Sequence, residues 1–189
     1  VAAEVMQMPA SKIKFQLGDT DFPPGPTQGG STTTSTLGPG VSIACEALKQ
    51  ALKELARTII PSFSTIAAEE LGIADGYVVS KKDSQQKISF TELLQKAGKP
   101  EIEVIKESTR ATAEFQKYAM NSFSAHFVKV HVHPTTGAIA LKQIIATGDG
   151  GKIISEKTAR SQMIGGAVGG IGMALTEEAL IDHTTGKYI

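Results

Sequence analysis

Two glycine-rich stretches carry the residue types best suited to holding an anionic ligand. The first, residues 29–36, runs Gly-Gly-Ser-Thr-Thr-Thr-Ser-Thr. Paired glycines let backbone N–H groups converge on a ligand, and a row of hydroxyl groups can donate hydrogen bonds to phosphate or carbonyl oxygens. No lysine follows the glycines, which opposes a nucleotide-binding loop of the Walker type. A flexible Ser/Thr linker is the alternative interpretation.

The second stretch is a predicted helix over residues 157–178. Its glycines stand at positions 165, 166, 169, 170 and 172. Each interior glycine costs roughly 1 kcal/mol relative to alanine, so we expect another backbone or a ligand to approach this helix closely. Thr158 or Ser161 is the predicted N-cap, and Arg160 and Gln162 are placed in the first turn, where N–H groups favour an anionic group. A buried packing helix is an equally good interpretation of the composition.

Two other functions of this helix are disfavoured by its pattern. The spacing Gly-x-x-Gly-x-x-Gly differs from the dinucleotide fingerprint and lies inside the helix, not in a strand-to-helix turn. The uncharged run over residues 161–176 is too short and too rich in glycine to span a bilayer. We therefore predict no membrane span.

Composition argues against several further kinds of function. The chain has 189 residues, with 19 Lys plus Arg and 19 Asp plus Glu, so no excess of positive charge suggests a nucleic-acid partner. Cys45, the only cysteine, falls on the apolar stripe of a helix, which favours an inert thiol over a nucleophile. His131 and His133 are two residues apart on a strand, and a polar strand face is favoured over a metal site because no third ligand is evident.

The elements that must position these residues follow from periodicity and turn signals. We predict an amphipathic helix over residues 38–59 with Pro39 in its first turn, and a strand over 101–108. Residues 22–28, rich in proline and glycine, and residues 109–120 are predicted to lack regular structure. The expected fold class is α+β, a mixture of helices and β-hairpins.

The clearest hairpin is predicted over residues 124–147, with residues 134–137 as its turn. Two sets of alternating residues are expected to form its faces: His126, Val128, Val130 and Val132 on the first strand, and Ile139, Leu141, Gln143 and Ile145 on the second. The chain begins at Val1 inside an apolar stretch and stops at Ile189 soon after a turn-like sequence. We expect it to be a fragment of a larger polypeptide.

Five segments resemble the xanthine dehydrogenase/aldehyde oxidase family in order and spacing. They are residues 18–24, 29–31, 127–130, 158–166 and 170–178, of which Arg-Ser-Gln-Met-Ile-Gly-Gly is the most specific. The chain is most similar to the bacterial aldehyde oxidoreductase and isoquinoline-oxidoreductase-like large subunits, which lie in the bacterial cytoplasm or periplasm. The resemblance spans nearly the whole chain and implies part of a molybdopterin-binding domain over residues 1–189.

The resemblance also implies an activity, partners and binding residues. Such subunits bind molybdopterin, often as the cytosine dinucleotide, and oxidise an aldehyde or an N-heterocycle with oxygen from water, passing electrons to iron–sulfur and FAD subunits. Three residues match the family loop that contacts the pterin and its phosphates: Gly30, Ser31 and Thr33. The adjoining residues Gly29 and Thr32 belong to the same candidate loop. Gln162 matches a glutamine whose amide hydrogen-bonds the cofactor.

Two departures from the family pattern limit what this chain can do. The family's general base is a glutamate in a Gly-x-Gly-Glu segment, and no Gly-Glu dipeptide occurs here. We therefore predict no catalytic residue and no protein metal ligand in this chain, and no activity for the chain alone. Residues 154–156, Ile-Ser-Glu, stand where the family often has Ile-Asn-Pro. A non-catalytic binding module of the same fold is the alternative function.

Overall fold

The computed structural model describes residues 1–27, 29–108 and 112–189, and the chain divides into two compact units, Val1–Arg110 and Ala111–Ile189. Helices and short antiparallel sheets build each unit. This mixture confirms the predicted α+β class. Residues 22–27 lack regular structure, as predicted, and Gln28 lies outside the described residues.

Helices and strands alternate irregularly along the chain. The helices are α1 (Ala2–Val5), α2 (Thr33–Ile59), α3 (Phe90–Ala97), α4 (Thr112–Lys117) and α5 (Glu156–Leu175). The strands are β1 (Leu71–Ala74), β2 (Tyr77–Ser80), β3 (Lys87–Ser89), β4 (Phe123–Val132), β5 (Ile139–Asp149), β6 (Ile181–Asp182) and β7 (Lys187–Tyr188). Short 3-10 turns occupy Ala10–Lys12, Pro61–Phe63 and Ala68–Glu70.

An apolar cluster between α2 and a three-stranded sheet is the core of the first unit. The sheet is an antiparallel meander in the order β1-β2-β3, and α3 follows β3 directly. Leu52 from the C-terminal half of α2 is buried in this cluster. The largest fully buried side chains are Phe63, Leu71, Val78 and Leu93. Burial of these residues holds the C-terminal half of α2 in place.

Local sequence signals explain where these elements end. Asp75 and Gly76 both have positive φ, 46° and 83°, which suits the two-residue turn between β1 and β2. Ser89 caps α3 by accepting a hydrogen bond from the N–H of Glu92, and Gly98 ends the helix at a φ of 64°. Each signal fixes a boundary that packing alone leaves undetermined.

The first helix boundary differs from the prediction, because α2 begins at Thr33 and not at residue 38. The N–H of Thr36 donates to the carbonyl of Thr32 at 3.0 Å, which starts the helical ladder. The hydroxyls of Ser35 and Thr36 donate to the same carbonyl at 2.8 and 3.0 Å. These bonds close the hydroxyl-rich run into a helical turn, so Pro39 lies inside α2 and not in its first turn.

Two predictions for residues 101–120 also differ from the structure. Residues 101–108 have no regular secondary structure and join no strand ladder among the described residues, so the predicted strand is wrong. The predicted loop over residues 109–120 contains α4, while residues 109–111 lie outside the described residues. The alternation of residues 101–104 instead corresponds to side chains that are exposed and half-buried in turn.

The long hairpin of the second unit confirms the predicted strands and turn. β4 and β5, of 10 and 11 residues, pair antiparallel. Gly137 has a φ of 72°, and its N–H donates to the carbonyl of His133 at 2.9 Å. The turn over residues 134–137 therefore places glycine where a side chain would be strained.

A β-bulge changes the faces of this hairpin. Lys129 pairs with Gln143 and Val130 pairs with Leu141, so Lys142 is the extra residue of β5. The predicted face of His126, Val128, Val130 and Val132 is retained on β4. On β5, however, Gln143 and Ile145 lie on the opposite face from Ile139 and Leu141, which corrects the prediction, because one extra residue reverses the alternation.

Helix α5 packs on the hairpin without creating a buried core. Met163 lies so close to Gly148 that a Cβ on this glycine would be 3.1 Å from the sulfur atom. No described residue of the second unit is buried. Among the described helices, none combines the length and the apolar character needed to cross a bilayer.

We expect Leu71→Ala to lower the free energy of unfolding of this chain by about 2–5 kcal/mol, because it leaves a cavity in the core of the first unit. Leu71 is fully buried. Urea titration followed by circular dichroism measures the change. The matched control is Leu17→Ala, which removes a largely exposed side chain and should change stability by less than about 0.5 kcal/mol. Equal effects would contradict the assignment of the core.

Lys53 is a charged residue within the core of the first unit, with only 7% of its surface exposed. Burial lowers the pKa of its ammonium group, and the nearby charges of Lys81 and Lys49 lower it further, against the opposite influence of Glu46 and Glu69. The folded state therefore binds this proton less tightly than the unfolded state. Stability is reduced while Lys53 is protonated, and the deficit shrinks as the pH rises from the folded pKa toward 10.5.

We expect Lys53→Met to raise the free energy of unfolding at neutral pH, because it keeps the apolar stem and removes the charge. The gain over the unsubstituted chain should shrink as the pH approaches 10.5. Urea titrations at neutral and alkaline pH measure it. Lys49→Met is the control, since Lys49 forms an ion pair with Glu46 at 2.9 Å. A loss of stability in Lys53→Met at neutral pH would refute the expectation.

Candidate functional site

The loop before α2 has a backbone conformation that few sequences adopt. Gly30 and Ser31 are both left-handed, with φ of 60° and 58°. Glycine adopts this conformation without strain, whereas for Ser31 it costs roughly 1–2 kcal/mol. The hydroxyl of Thr32 donates to the carbonyl of Gly29 at 2.8 Å and closes the loop. The sharp turn brings successive backbone groups onto one exposed surface.

The hydroxyl groups of this loop differ in whether they already form hydrogen bonds. The hydroxyls of Thr32, Ser35 and Thr36 donate to backbone carbonyls, so their protons are committed. Ser31 is exposed, and its hydroxyl makes no hydrogen bond with a described residue. Thr33 is the first residue of α2 and is half-buried. The predicted row of hydroxyl donors is therefore incomplete, because the hydroxyl of Thr32 already donates to a carbonyl. Ser31 is the best donor of the row to an external oxygen.

The start of α2 provides a second group of donors. Thr32 occupies the N-cap position, but no side chain caps the helix because its hydroxyl is turned toward Gly29. Backbone N–H groups at an uncapped helix start carry partial positive charge and favour anions. The loop and the helix start together form a surface rich in donors.

The N-terminus of α5 differs from the prediction. Ser155 is its N-cap, accepting from the N–H of Thr158 at 3.4 Å, so neither Thr158 nor Ser161 caps the helix. Gln162 lies in the second turn, about 9 Å along the axis from Glu156, and not in the first. The sequence signal for this cap was Ser155 directly before two good helix formers. Gln162 is therefore not at the helix N-terminus.

Gln162 instead shares a face of α5 with the glycines. Positions three, four, seven and eight residues after Gln162 lie near it on the helix surface. A Cβ added at any of these four glycines would meet nothing within 4 Å: Gly165, Gly166, Gly169 and Gly170. Gln162 is exposed, and its amide makes no hydrogen bond with a described residue. The result is an open backbone surface beside a side chain that can both donate and accept.

The opposite side of α5 faces the hairpin. Met163, Ala167 and Ile171 follow one another at four-residue steps and are half-buried, and Met163 touches Gly148. No described residue of the second unit comes within 4 Å of a Cβ placed on Gly165, Gly166, Gly169 or Gly170. The interpretation of α5 as a packing helix therefore finds no partner for this face among the described residues of the unit.

Gly172 has a different local role from the other helical glycines. A Cβ there would lie 2.5 Å from a carboxylate oxygen of Glu177. The N–H groups of Thr176 and Glu177 both donate to the carbonyl of Gly172 at 2.9 Å. Gly172 thus makes room for the turn that ends α5.

Other candidate groups have structural explanations. Cys45 is half-buried, and burial raises the pKa of its thiol, with Glu46 adding to the rise. A protonated thiol is a poor nucleophile, in line with the inert interpretation. The Nδ1 atom of His133 accepts from the N–H groups of Thr135 and Thr136 at 3.3 and 3.2 Å. No group of three or more acidic, His or Cys ligands suited to a metal occurs among the described residues.

Comparisons with known proteins place this chain in a family. The sequence model of a protein family, described as molybdopterin cofactor-binding domain, matches residues 1–189. The chain is 30% identical over 188 residues to the aldehyde oxidoreductase molybdenum-binding subunit PaoC of Escherichia coli O157:H7, covering 100% of this chain and 24% of that subunit. It is 27% identical over 187 residues to the 6-hydroxypseudooxynicotine dehydrogenase complex subunit gamma of Paenarthrobacter nicotinovorans, covering 97% and 23%.

A solved structure shares the fold. The Cu,Mo-CO dehydrogenase in its carbon monoxide reduced state superposes with a TM-score of 0.73 at 20% identity, covering 100% of this chain and 24% of that chain. The chain spans about a quarter of the length of the curated relatives it matches. Both of those relatives are named as subunits.

We expect Gly169→Ala to stabilise α5 in this chain by about 1 kcal/mol, because alanine favours the helix and its Cβ meets open space. Thermal unfolding followed by circular dichroism measures the gain. Gly172→Ala is the matched control and should gain less, since its Cβ forces the Glu177 carboxylate to move. Destabilisation by Gly169→Ala would show that the glycine face is covered.

Proposed function

The chain belongs to the molybdopterin cofactor-binding domain family, and we propose that it is part of the large subunit of a molybdenum hydroxylase. Residues 1–189 would form a partial cofactor-binding domain of that larger subunit. The family match over this whole range carries the proposal. Support comes from two exposed segments, 29–33 and the glycine face of α5, whose chemistry fits a phosphate-bearing pterin.

In this proposal the loop before α2 binds the phosphate groups of the cofactor. Gly29 and Gly30 let phosphate oxygens come close to the backbone, and the Ser31 hydroxyl donates to one of them. Thr32 and Thr33 align the uncapped start of α2 toward the same negative charge. Hydrogen bonds from neutral donors to an ionised acceptor are stronger than neutral pairs, so few of them suffice.

Gln162 orients the cofactor through its amide. One amide supplies a donor and an acceptor, which matches the alternating polar edge of a pterin or of a cytosine ring. The open glycine face beside it allows a flat ring system to lie against the helix backbone, where a Cβ would intrude. The glycines would then lower the stability of the helix and in return permit this close approach.

The bound molybdenum centre supplies the oxidation of the substrate, and this chain supplies binding and orientation. The proposed substrates are an aldehyde or an N-heterocycle, in line with the names of the aldehyde oxidoreductase and 6-hydroxypseudooxynicotine dehydrogenase relatives. The cofactor is proposed in its cytosine dinucleotide form, with iron–sulfur and FAD subunits as partners. No residue of this chain is proposed as the general base. The chain alone should show no turnover of an aldehyde with an artificial electron acceptor.

We expect substitutions in the two segments to lower the molybdenum content of the purified large subunit. Gln162→Ala removes the amide and should weaken cofactor retention by about 2–12-fold, the range for loss of one hydrogen bond. Gln143→Ala is the matched control, since Gln143 is an exposed glutamine on the hairpin. Metal analysis and cofactor release after denaturation provide the measurements. Equal molybdenum content in both variants would refute the role of Gln162.

Two substitutions at Ser31 separate the hydroxyl from the backbone. Ser31→Gly removes the hydroxyl and relieves the left-handed strain, while Ser31→Ala removes the hydroxyl and keeps the strain. If the hydroxyl binds a phosphate, both variants lose molybdenum. If only the backbone shape matters, Ser31→Gly retains it. A large subunit that carries no molybdenum in its unsubstituted form would favour the non-catalytic module.

A further inference from the structure

Two lysines of α2 are largely buried in the first unit. Lys49 and Lys53 are four residues apart and therefore share a face of the helix. Only 7% of the surface of Lys53 is exposed, and only 19% of the side chain of Lys49. Lysine is almost never fully buried unless its charge is paired. Both side chains therefore require negatively charged partners.

Lys53 has no such partner among the described residues. Its ammonium group forms no hydrogen bond and no ion pair with any of them. Glu46 is already paired with Lys49 at 2.9 Å, and Glu69 raises the pKa of Lys53 without forming an ion pair with it. No described side-chain nitrogen that is sealed from solvent lacks a partner. The unpartnered Nζ atom of Lys53 is therefore accessible to a ligand.

A third lysine adds positive charge at the same place. Lys81 directly follows β2, and its Nζ atom donates to the carbonyl of Glu69 at 2.7 Å, which fixes its position. Burial is the main cause that lowers the pKa of Lys53, and the charges of Lys81 and Lys49 lower it further. Three lysines thus meet two glutamates, Glu46 and Glu69, which leaves one net positive charge in the cluster.

The donor chemistry of this cluster indicates the kind of anion that would neutralise it. An ammonium group has three N–H donors and no acceptor. Its strongest hydrogen bonds are those to ionised oxygen atoms. An anion with several oxygen atoms can accept from Lys53 and from a neighbouring ammonium group at the same time. Phosphate and carboxylate groups share this property.

We propose that Lys49, Lys53 and Lys81 form a binding site for a small oxyanion, a phosphate or a carboxylate group. The anion binds at the accessible Nζ atom of Lys53 and supplies the negative charge that the fold leaves out. The site is separate from the loop before α2, because Lys53 lies about 30 Å along the helix from Thr33. It therefore stands independently of the proposed function.

Urea titrations of this chain at neutral pH in increasing inorganic phosphate test the proposal, with sodium chloride at the same ionic strength as the reference. A ligand that binds only the folded state raises the folding equilibrium constant by one plus the ratio of its concentration to its dissociation constant. Phosphate at about ten times that constant should therefore raise it about 10-fold above sodium chloride. Equal effects of the two salts overturn the proposal, because they would reflect screening alone.

Two lysine substitutions separate a bound anion from the general stabilisation that phosphate gives by exclusion from protein surfaces. Lys53→Met should lose most of the rise, so the stability that it gains without phosphate should shrink as phosphate is added. Lys12→Met is the matched control, because it removes the same charge from an exposed ion pair with Asp75. It should keep the rise in full. Equal responses of the two variants to phosphate refute the site.

A glutamate substitution gives an expected change in the opposite direction. Glu69→Gln removes a carboxylate that stabilises the charge of Lys53 and competes with an anion for it, so phosphate should bind several-fold more tightly. Glu92→Gln is the control, since Glu92 pairs with Lys96 at 3.4 Å, and it should leave phosphate binding unchanged. Unchanged or weaker binding in Glu69→Gln contradicts the proposal.

Sodium acetate at the same ionic strength distinguishes the two sources of oxygen atoms. A rise equal to that with phosphate assigns the site to carboxylate groups. A rise with phosphate alone assigns it to phosphate groups. The absence of a rise with either anion overturns the proposal.

Discussion

Burial of the C-terminal half of α2 against the β1–β3 meander is the interaction on which the first unit depends. All buried apolar residues among the described ones belong to this cluster. α2 has 27 residues, so it extends about 40 Å from end to end. The cluster holds one end of this long helix, and the loop of residues 29–32 is attached to the other. A small core thus positions the proposed binding surface some distance away, where the backbone can stay exposed.

The second unit is organised by a different constraint. Its helix and its long hairpin touch at Met163 and Gly148, yet none of its described residues is buried. An isolated two-stranded hairpin is marginally stable in water. The five glycines of α5 lower helix stability further. An open glycine face therefore does not serve the internal stability of this unit, which agrees with the proposal that a cofactor lies against it.

The sequence indicated the elements better than their boundaries and pairings. The turn at residues 134–137 was predictable because proline restricts the backbone and glycine permits the positive φ that Gly137 adopts. The bulge at Lys142 was not, because one extra residue in a ladder leaves no trace in the alternation of a single strand. Ser155 was missed as the cap of α5 because several nearby hydroxyls compete for that role. For residues 101–108 the alternation predicted a strand that is absent, because a ladder depends on a partner that local sequence does not specify.

In the candidate site, too, the sequence indicated the segment but not the arrangement of its groups. Glycine and hydroxyl composition marked the loop before α2 as a candidate binding loop, which stays a prediction, and the structure adds that Gly30 and Ser31 are left-handed. Which hydroxyls face outward was not predictable, because the start of α2 at Thr33 commits those of Ser35 and Thr36 to the helix itself.

Pro39 inside α2 gives the helix two parts with different tendencies to fray. Proline has no N–H to donate to the carbonyl of Ser35, so the hydrogen-bond ladder is interrupted there. The turns before Pro39 can open without disturbing Leu52 and Ala56 in the core. Under the proposed function, a phosphate bound at the helix start would stabilise the helical form of these turns, so that occupancy of the proposed site and order of the helix start would depend on each other.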